Sequence, residues 1–307
     1  MANNINWGKI YESTAWGSGV SDNSISWGKS YADLAGGGFT GLLDTYSGAA
    51  AAYSLRQLSS TYSGDAIVVR RASDNTTQAI GFVNNELDTT SLESFCSGTD
   101  GFVTTWYDQS GNGVDADNAS ASSQPKIVSS GSTILENGKA AVQFDNTDDY
   151  LDTISAINVS NSSYFIVAQM NASVSSNDYS YIFSNHGSTR QTLAKRAQGS
   201  DTDKLYVYDG TASHIDGLHS LNQEMISLFF PLTSPYLDMY VDGSSRSFGS
   251  LPNGSKPFND KITIGRFQPA NTHFFDGHLQ EFILYTSDES TNRTGIETNI
   301  NDFYSIY

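Results

Sequence analysis

The sequence has few cysteines, few basic residues and no long apolar run, and each shortage excludes a class of protein. Cys96 is the only cysteine of 307 residues, so no intramolecular disulfide is possible, and we expect a buried apolar side chain rather than a catalytic thiol. No stretch of about 18 apolar residues occurs and no secretion signal opens the chain, which predicts folding in the cytoplasm without membrane insertion. With 16 basic against 33 acidic residues, the net charge of −17 disfavours nucleic acid and anionic membranes as partners.

Aromatic and turn-forming residues are abundant instead. The chain has 17 tyrosines and 16 phenylalanines, which bury large areas, and 27 glycines, which suit turns. Short β-branched and aromatic segments alternate with turn signals at 136–139, Asp209-Gly210 and Asp242-Gly243. This alternation of strand and turn signals predicts an all-β protein of two antiparallel sheets packed face to face. We expect one large domain with an appendage.

A few short helices are expected beside the strands. The alanine-rich segment 48–58 has high helix propensity, and the segment 89–97 can be capped by Asp88 or Thr89. Residues 290–304 place apolar side chains at helical spacing. We therefore predict helices at all three places, the last of them lying on the sandwich as a C-terminal helix.

The first forty residues differ in composition from the rest. The segment Ile5–Tyr11 recurs as Ile25–Tyr31, and another Trp-Gly pair lies between the two copies. We interpret residues 1–40 as an extended arm that inserts aromatic side chains into a partner, and residues 41–307 as the sandwich domain. The alternative is that the arm packs on its own domain as edge strands. The predicted partner-binding residues are Trp7, Tyr11, Trp16, Trp27 and Tyr31.

An aromatic, β-branched strand ends abruptly in a polar turn in the run Phe102–Gly113, which contains Asp-Gln-Ser-Gly-Asn-Gly. Together with the segments 42–75 and 119–124, this run resembles the front part of the catalytic domain of α-L-arabinofuranosidase B enzymes, over about residues 42 to 130. The resemblance implies a sugar-enzyme scaffold.

The end of the chain carries a second resemblance. The segment Phe274–Tyr285 is similar to the closing strand of concanavalin A-like, laminin-G-like sandwiches, with Glu281 at their acidic position. We therefore predict a concanavalin A-like jelly-roll β-sandwich.

The resemblance to arabinofuranosidases also implies where catalytic groups should lie. The family's acid/base aspartate lies in a Gly-Gly-Asp-Asn stretch, and the matching segment here, Ile264–Gln268, has Phe267 or a neighbour in its place. The family's nucleophilic glutamate matches the segment Arg190–Lys195, which has no carboxylate, and the family's vicinal disulfide is missing. These departures predict no catalytic residues at the family's positions and favour a protein without that activity.

Two acidic clusters offer other chemistry. Asp145, Asp148 and Asp149 are predicted to lie in a solvated turn. The turn after Phe102 alternates oxygen donors, but it lacks the bidentate glutamate of an EF-hand loop, and the related enzymes use it as a structural turn. We expect no metal or other cofactor, with Ca²⁺ as the alternative, and the candidate ligands would be Asp108, Asn112, Asp115 and Asp117.

Three functional hypotheses follow from these features. The first is a bacteriophage virion structural protein, since the arm is similar to the Trp-Gly-Lys openings of some phage proteins. It would be a lectin-like decoration, fibre or tail component in the virion. We would then expect a homo-oligomer that binds other virion proteins through its arm, with host-surface glycans as a candidate ligand. The alternative is a glycoside hydrolase of arabinofuranosidase type, and a third reading is a structural module that contacts only neighbouring subunits.

Overall fold

The structure is a computed structural model, and it describes residues 38–171, 178–187, 190–198, 201–209, 213–218, 220–232, 237–246 and 257–307. The compact unit Thr40–Tyr307 contains the fold described below. None of the helices within these ranges has the length and apolar content needed to cross a membrane.

Strands dominate this unit, as predicted. The α-helices are α1 Leu42–Thr45, α2 Thr89–Phe95 and α3 Arg293–Tyr304. The strands are β1 Ala49–Ser54, β2 Ile67–Arg71, β3 Thr77–Ile80, β4 Phe82–Val83, β5 Glu86–Leu87, β6 Gly101–Trp106, β7 Ala116–Asp117, β8 Lys126–Ser129, β9 Ser132–Thr133, β10 Leu135–Glu136, β11 Lys139–Ala140, β12 Val142–Asp145, β13 Leu151–Thr153, β14 Ile157–Val159, β15 Ser162–Met170, β16 Asp178–Asn185, β17 Thr192–Gln198, β18 Asp201–Tyr208, β19 Ser213–Leu218, β20 Gln223–Phe230, β21 Asp238–Val241, β22 Ser244–Arg246, β23 Phe258–Asp260, β24 Ile262–Ile264 and β25 Asp276–Tyr285.

The strands form the predicted β-sandwich of two antiparallel layers. In sheet I the order is β1, β25, β15, β20, β21 and β22. In sheet II it is β7, β13, β24, β16, β17, β18 and β19. Strands β12, β8 and β6 link β25 of sheet I to β7 of sheet II at one side, and the pairs β4–β5, β10–β11 and β14–β23 form separate two-stranded sheets.

The main core lies between the two sheets and is rich in aromatic rings. Tyr164 of sheet I stacks on Phe183 of sheet II with ring centroids 4.7 Å apart, and Phe282 meets Phe183 at 5.4 Å. A second apolar cluster covers the outer face of sheet I, where Phe165 and other side chains lie with Ile296 and Ile300 of α3. Sheet I is therefore buried on both faces, and β15 and β25 are buried along nearly their whole length.

The helix predicted over residues 48–58 is wrong. Residues Ala49–Ser54 form a strand that pairs along β25, with Tyr53 in the core between the sheets and Ala52 under the outer cluster. Small alanines suit a strand that is crowded on both faces, and this tertiary pairing outweighs the intrinsic helix propensity of alanine.

The other two predicted helices are confirmed. Helix α2 is capped by Asp88, whose carboxylate accepts a hydrogen bond from Ser91 N at 3.0 Å. Helix α3 buries Ile296 and Ile300 against sheet I. Cys96, at the end of α2, is fully buried, as expected of a structural thiol.

A buried ion pair joins β25 to the end of β1. The Glu281 carboxylate accepts hydrogen bonds from Arg56 Nε at 2.7 Å, from Arg56 Nη2 at 2.9 Å and from Ser54 Oγ at 2.8 Å. Glu281 is fully buried, and the Arg56 guanidinium also lies against the rings of Phe303 and Tyr304. This pair ties the last turn of α3 to the centre of sheet I.

Candidate functional site

A row of polar side chains crosses the outer face of sheet II. The inward residues Leu151, Ile264 and Leu193 belong to the core, so their immediate neighbours along each strand face outward. The outward neighbours lie directly opposite one another across successive strands, and the row runs Asp117, Asp152, Thr263, Ser184, Thr192, Tyr208. We call this set the polar row.

Two carboxylates lie side by side at one end of the polar row. Asp117 of β7 and Asp152 of β13 are directly paired in register, and such pairs hold their Cβ atoms about 4.5–5.5 Å apart on one face. Asp117 is exposed, whereas the Asp152 side chain is 24% exposed. The site therefore has one well-held carboxylate and one that is open to solvent.

The Asp152 carboxylate is held from three sides. Thr263 Oγ1 donates to Asp152 Oδ1 at 2.5 Å, and Arg266 Nη2 donates to Oδ2 at 3.3 Å. His186 Nε2 lies 3.4 Å from Oδ1 and 2.8 Å from Thr263 Oγ1. The Arg266 guanidinium is in turn fixed over the Tyr150 ring, 3.4 Å from its centroid. These contacts fix the position of the Asp152 carboxylate on the outer face of sheet II.

The segment after β24 lies across the middle of the polar row. Ser184 Oγ donates to the carbonyl oxygen of Arg266 at 3.0 Å and accepts from Gln268 N at 3.0 Å. Arg266 lies toward Asp152 on one side of this segment, and Phe267 lies toward Tyr181 on the other. The segment therefore divides the outer face into a carboxylate half and an aromatic half.

The aromatic half is formed by rings from β16, β18 and the segment after β24. Tyr181 lies against Phe267 with centroids 4.8 Å apart, and Tyr179 meets Tyr206 at 4.9 Å. His273 joins this group 5.8 Å from Tyr179. Burial raises the pKa values of Tyr181 and Tyr206, so both phenols stay protonated and can donate hydrogen bonds at neutral pH.

The positions implied by the arabinofuranosidase resemblance lie in the aromatic half. Phe267, in place of the family's acid/base residue, packs on Tyr181, and the described side chains of β17 from Thr192 to Arg196 include no carboxylate. The structure thus places the carboxylate pair two strands away from β16, beyond β24, and not at the family's own positions.

The turn with the candidate calcium ligands is held together by its own hydrogen bonds. Asp108 accepts from Ala52 N at 2.8 Å, Ser110 N at 2.9 Å, Ser110 Oγ at 2.7 Å and Val114 N at 3.1 Å. Asp115 accepts from Asp108 N at 2.9 Å. Asn112 donates to the carbonyl oxygens of residues 49 and 50. Asp117 lies apart from these three, in the polar row. The Ca²⁺ alternative stays a prediction, while the hydrogen bonds give the turn a structural role.

The prediction that Asp145, Asp148 and Asp149 lie in a solvated turn is wrong for Asp149. Side-chain oxygens of Asp145, Asp148 and Asp149 lie within 4.8 Å of one another, but Asp149 is only 6% exposed. Burial, and then repulsion from Asp145 and Asp148, raises the pKa of Asp149 to about 8. Asp149 Oδ2 also accepts a hydrogen bond from Asp145 N at 3.1 Å, which closes the turn.

This burial predicts a pH-dependent stability. An unfolded aspartate titrates near pH 3.9, so between about pH 4 and pH 8 the folded protein binds more protons than the unfolded chain. The free energy of unfolding therefore falls as pH rises through this window. Urea unfolding of the wild type and of Asp149→Asn between pH 5 and pH 9 should show a growing relative advantage for the variant. Asp302→Asn, at an exposed position of α3, is the control, and parallel curves for wild type and Asp149→Asn would contradict the assignment.

The predicted arm residues Trp7, Tyr11, Trp16, Trp27 and Tyr31 lie outside the described residues. Their role in partner binding and the expected homo-oligomer stay predictions.

Sequence reasoning missed Asp152, His186 and Arg266. Asp117 and Asp152 are far apart in the chain, and only the register of β7 with β13 brings them together. The available signal was the Leu-Asp-Thr alternation of β13, which places Asp152 on the face opposite a core leucine.

Comparison with known proteins supports the sugar-enzyme scaffold. A sequence model of the family "Alpha-L-arabinofuranosidase B, catalytic" matches residues 44–159. A GH54 α-L-arabinofuranosidase soaked with a cyclic sulfate inhibitor is 18% identical with a TM-score of 0.66, covering 85% of this chain and 65% of that chain. An arabinofuranosidase complexed with arabinofuranosyl-α-1,2-xylobiose is 17% identical with a TM-score of 0.66, covering 85% and 64%. This chain thus spans slightly less than two thirds of those proteins. A search of curated protein sequences gives no match.

These findings contradict the prediction of a bacteriophage virion decoration, fibre or tail protein and support the hydrolase alternative instead. The match is to a catalytic domain, and it extends past residue 130, where the resemblance in the sequence ended, to residue 159. The described unit therefore has the fold of the GH54 α-L-arabinofuranosidases, and its front part matches the arabinofuranosidase B catalytic domain.

Proposed function

We propose that this unit is a glycoside hydrolase of arabinofuranosidase type. The observation that carries the proposal is the carboxylate pair Asp117 and Asp152, directly opposite each other on the outer face of sheet II. Retaining glycosidases require two carboxyl groups about 5 Å apart, and the Cβ atoms of directly paired residues lie about 4.5–5.5 Å apart, close enough for the two side chains to bring their carboxyl groups to that distance. The family match and the shared fold support the same reaction class.

The environments of the two carboxylates suggest different roles. Asp152, beside Arg266 and Thr263, would attack the anomeric carbon and form a glycosyl-enzyme bond as the leaving oxygen departs. Asp117 would give its proton to that oxygen, and would then take a proton from the water that releases the sugar. His186 and Arg266 would position Asp152 rather than touch the sugar.

The proposal is tested with 4-nitrophenyl α-L-arabinofuranoside, the compound named with one GH54 structure of 19% identity. We expect the wild type to release 4-nitrophenol and Asp152→Asn to lower kcat by about a hundredfold or more, since removal of a nucleophile is severe. Asp117→Asn should lower kcat less with this activated substrate than with an arabino-oligosaccharide, because 4-nitrophenolate leaves without needing a proton.

Asp302→Asn is the matched control, since it removes an exposed carboxylate remote from sheet II. No release by the wild type, or equal rates for wild type and Asp152→Asn, would overturn the proposal.

A further inference from the structure

Arg190 lies at the aromatic half of the outer face, two residues before β17. Its guanidinium carbon is 5.1 Å from the centroid of Phe267 and 5.6 Å from that of Tyr208. Two ring contacts restrict the guanidinium plane, and because all five N–H donors lie in that plane, stacking leaves them available.

Arg190 has no carboxylate partner within the part of the chain that the structure describes, although the protein carries 33 acidic residues. Arg56, Arg71 and Arg293, by contrast, each form an ion pair with an aspartate or glutamate. A half-buried guanidinium that is fixed but unpaired is suited to bind an anion that arrives with a ligand.

Thr192 supplies a second, independent sign of a ligand. It is 1% exposed, and its Oγ1 atom has no hydrogen-bond partner among the described residues. It lies on the same outer face, directly opposite Tyr208 on β18. A buried hydroxyl without a partner costs stability, and a ligand oxygen can supply the missing hydrogen bond.

The surrounding rings indicate the rest of the ligand. Tyr208, Phe267 and Tyr206 are partly exposed, and they add aromatic surface and two phenolic hydroxyls beside Arg190. Ring faces suit the apolar face of a sugar, and hydroxyl and guanidinium donors suit its oxygens.

From these contacts we infer that the aromatic half binds an acidic sugar, with Arg190 holding the carboxylate of a uronic acid. This inference deepens the proposed function and rests on it, since it names the substrate class as an acidic glycan. Thr192 would meet a ring hydroxyl, and Tyr208 and Phe267 would flank the bound unit. Arg190 would therefore be a specificity determinant.

The experiment is calorimetric titration of the full chain with a short oligogalacturonate and with its methyl ester, which has the same rings without the charge. We expect the acid to bind at least about tenfold tighter than the ester, the order of a charge-assisted hydrogen-bonded pair. Arg190→Gln should remove this preference. Arg190→Lys should keep part of it, because lysine retains the charge but loses the planar donors.

Equal binding of the acid and the ester, an unchanged preference in Arg190→Gln, or no binding of either glycan would overturn the inference. The hydrolysis assay of the wild type with neutral 4-nitrophenyl arabinofuranoside gives a result that is independent of this binding comparison, because that compound carries no acidic sugar. Failure of the hydrolase proposal and failure of the acidic-sugar inference are thus distinguishable.

Discussion

Replacing Glu281 by alanine should lower the free energy of unfolding by about 3–5 kcal/mol, because it leaves the Arg56 cation buried without its counter-charge. The Ser54 hydroxyl, which donates to the same carboxylate, loses its acceptor as well. Urea unfolding at neutral pH measures the loss.

Two further variants distinguish the loss of the buried ion pair from the general effect of shortening a glutamate side chain. Glu86→Ala removes an exposed partner of Lys139, whose pair is solvated on both sides, and should cost about 1 kcal/mol or less. The double variant Arg56→Met/Glu281→Leu removes both charges together and should be more stable than Glu281→Ala. A cost for Glu281→Ala no greater than that of Glu86→Ala would show that the Arg56 charge is compensated in another way.

Replacing Asp108 by alanine should lower the free energy of unfolding by about 3 kcal/mol. Three backbone N–H groups and the Ser110 hydroxyl lose their acceptor, and buried donors without a partner cost about 1–3 kcal/mol each before relaxation. One of these donors, Ala52 N, belongs to β1, so the variant also loosens the turn from sheet I. Thermal and urea unfolding would both report the loss.

Asp108→Asn and Asp117→Ala are the matched comparisons. The asparagine keeps one accepting oxygen, but its amide group meets Val114 N as a second donor, so an intermediate loss is expected. Asp117 is exposed in the next strand, and its removal should change stability by about 0.5 kcal/mol at most. If Asp108→Ala were as stable as Asp117→Ala, the hydrogen bonds of the turn would contribute little to folding.

Local patterns in the sequence predicted the sandwich and most of its strands. The alternation around β13 and the apolar runs of β15 and β25 reflect side chains buried on one face or on both. Strand β1 was not predictable in this way, because alanine favours a helix until the crowded position beside β25 selects a strand.

The candidate site was less predictable than the fold, because its residues meet only through strand register. Asp152 and Thr263 come from distant parts of the chain, and Arg266 reaches them from the segment after β24. Asp149 was predicted to be solvated because the corresponding segment of related sandwiches is a surface hairpin, whereas its carboxylate is buried and accepts a hydrogen bond from Asp145 N. The family resemblance correctly indicated the arabinofuranosidase-like fold, whereas no pattern in the sequence indicated that Asp117 and Asp152 lie opposite each other.

The lone thiol of Cys96 has a practical consequence. It is fully enclosed, and a Cβ atom added at Gly101 would lie 2.6 Å from its sulphur, so nothing can approach it in the closed protein. A thiol reagent can therefore react only when an opening of the protein exposes the end of α2, and the reaction rate reports how often that opening occurs without any introduced label.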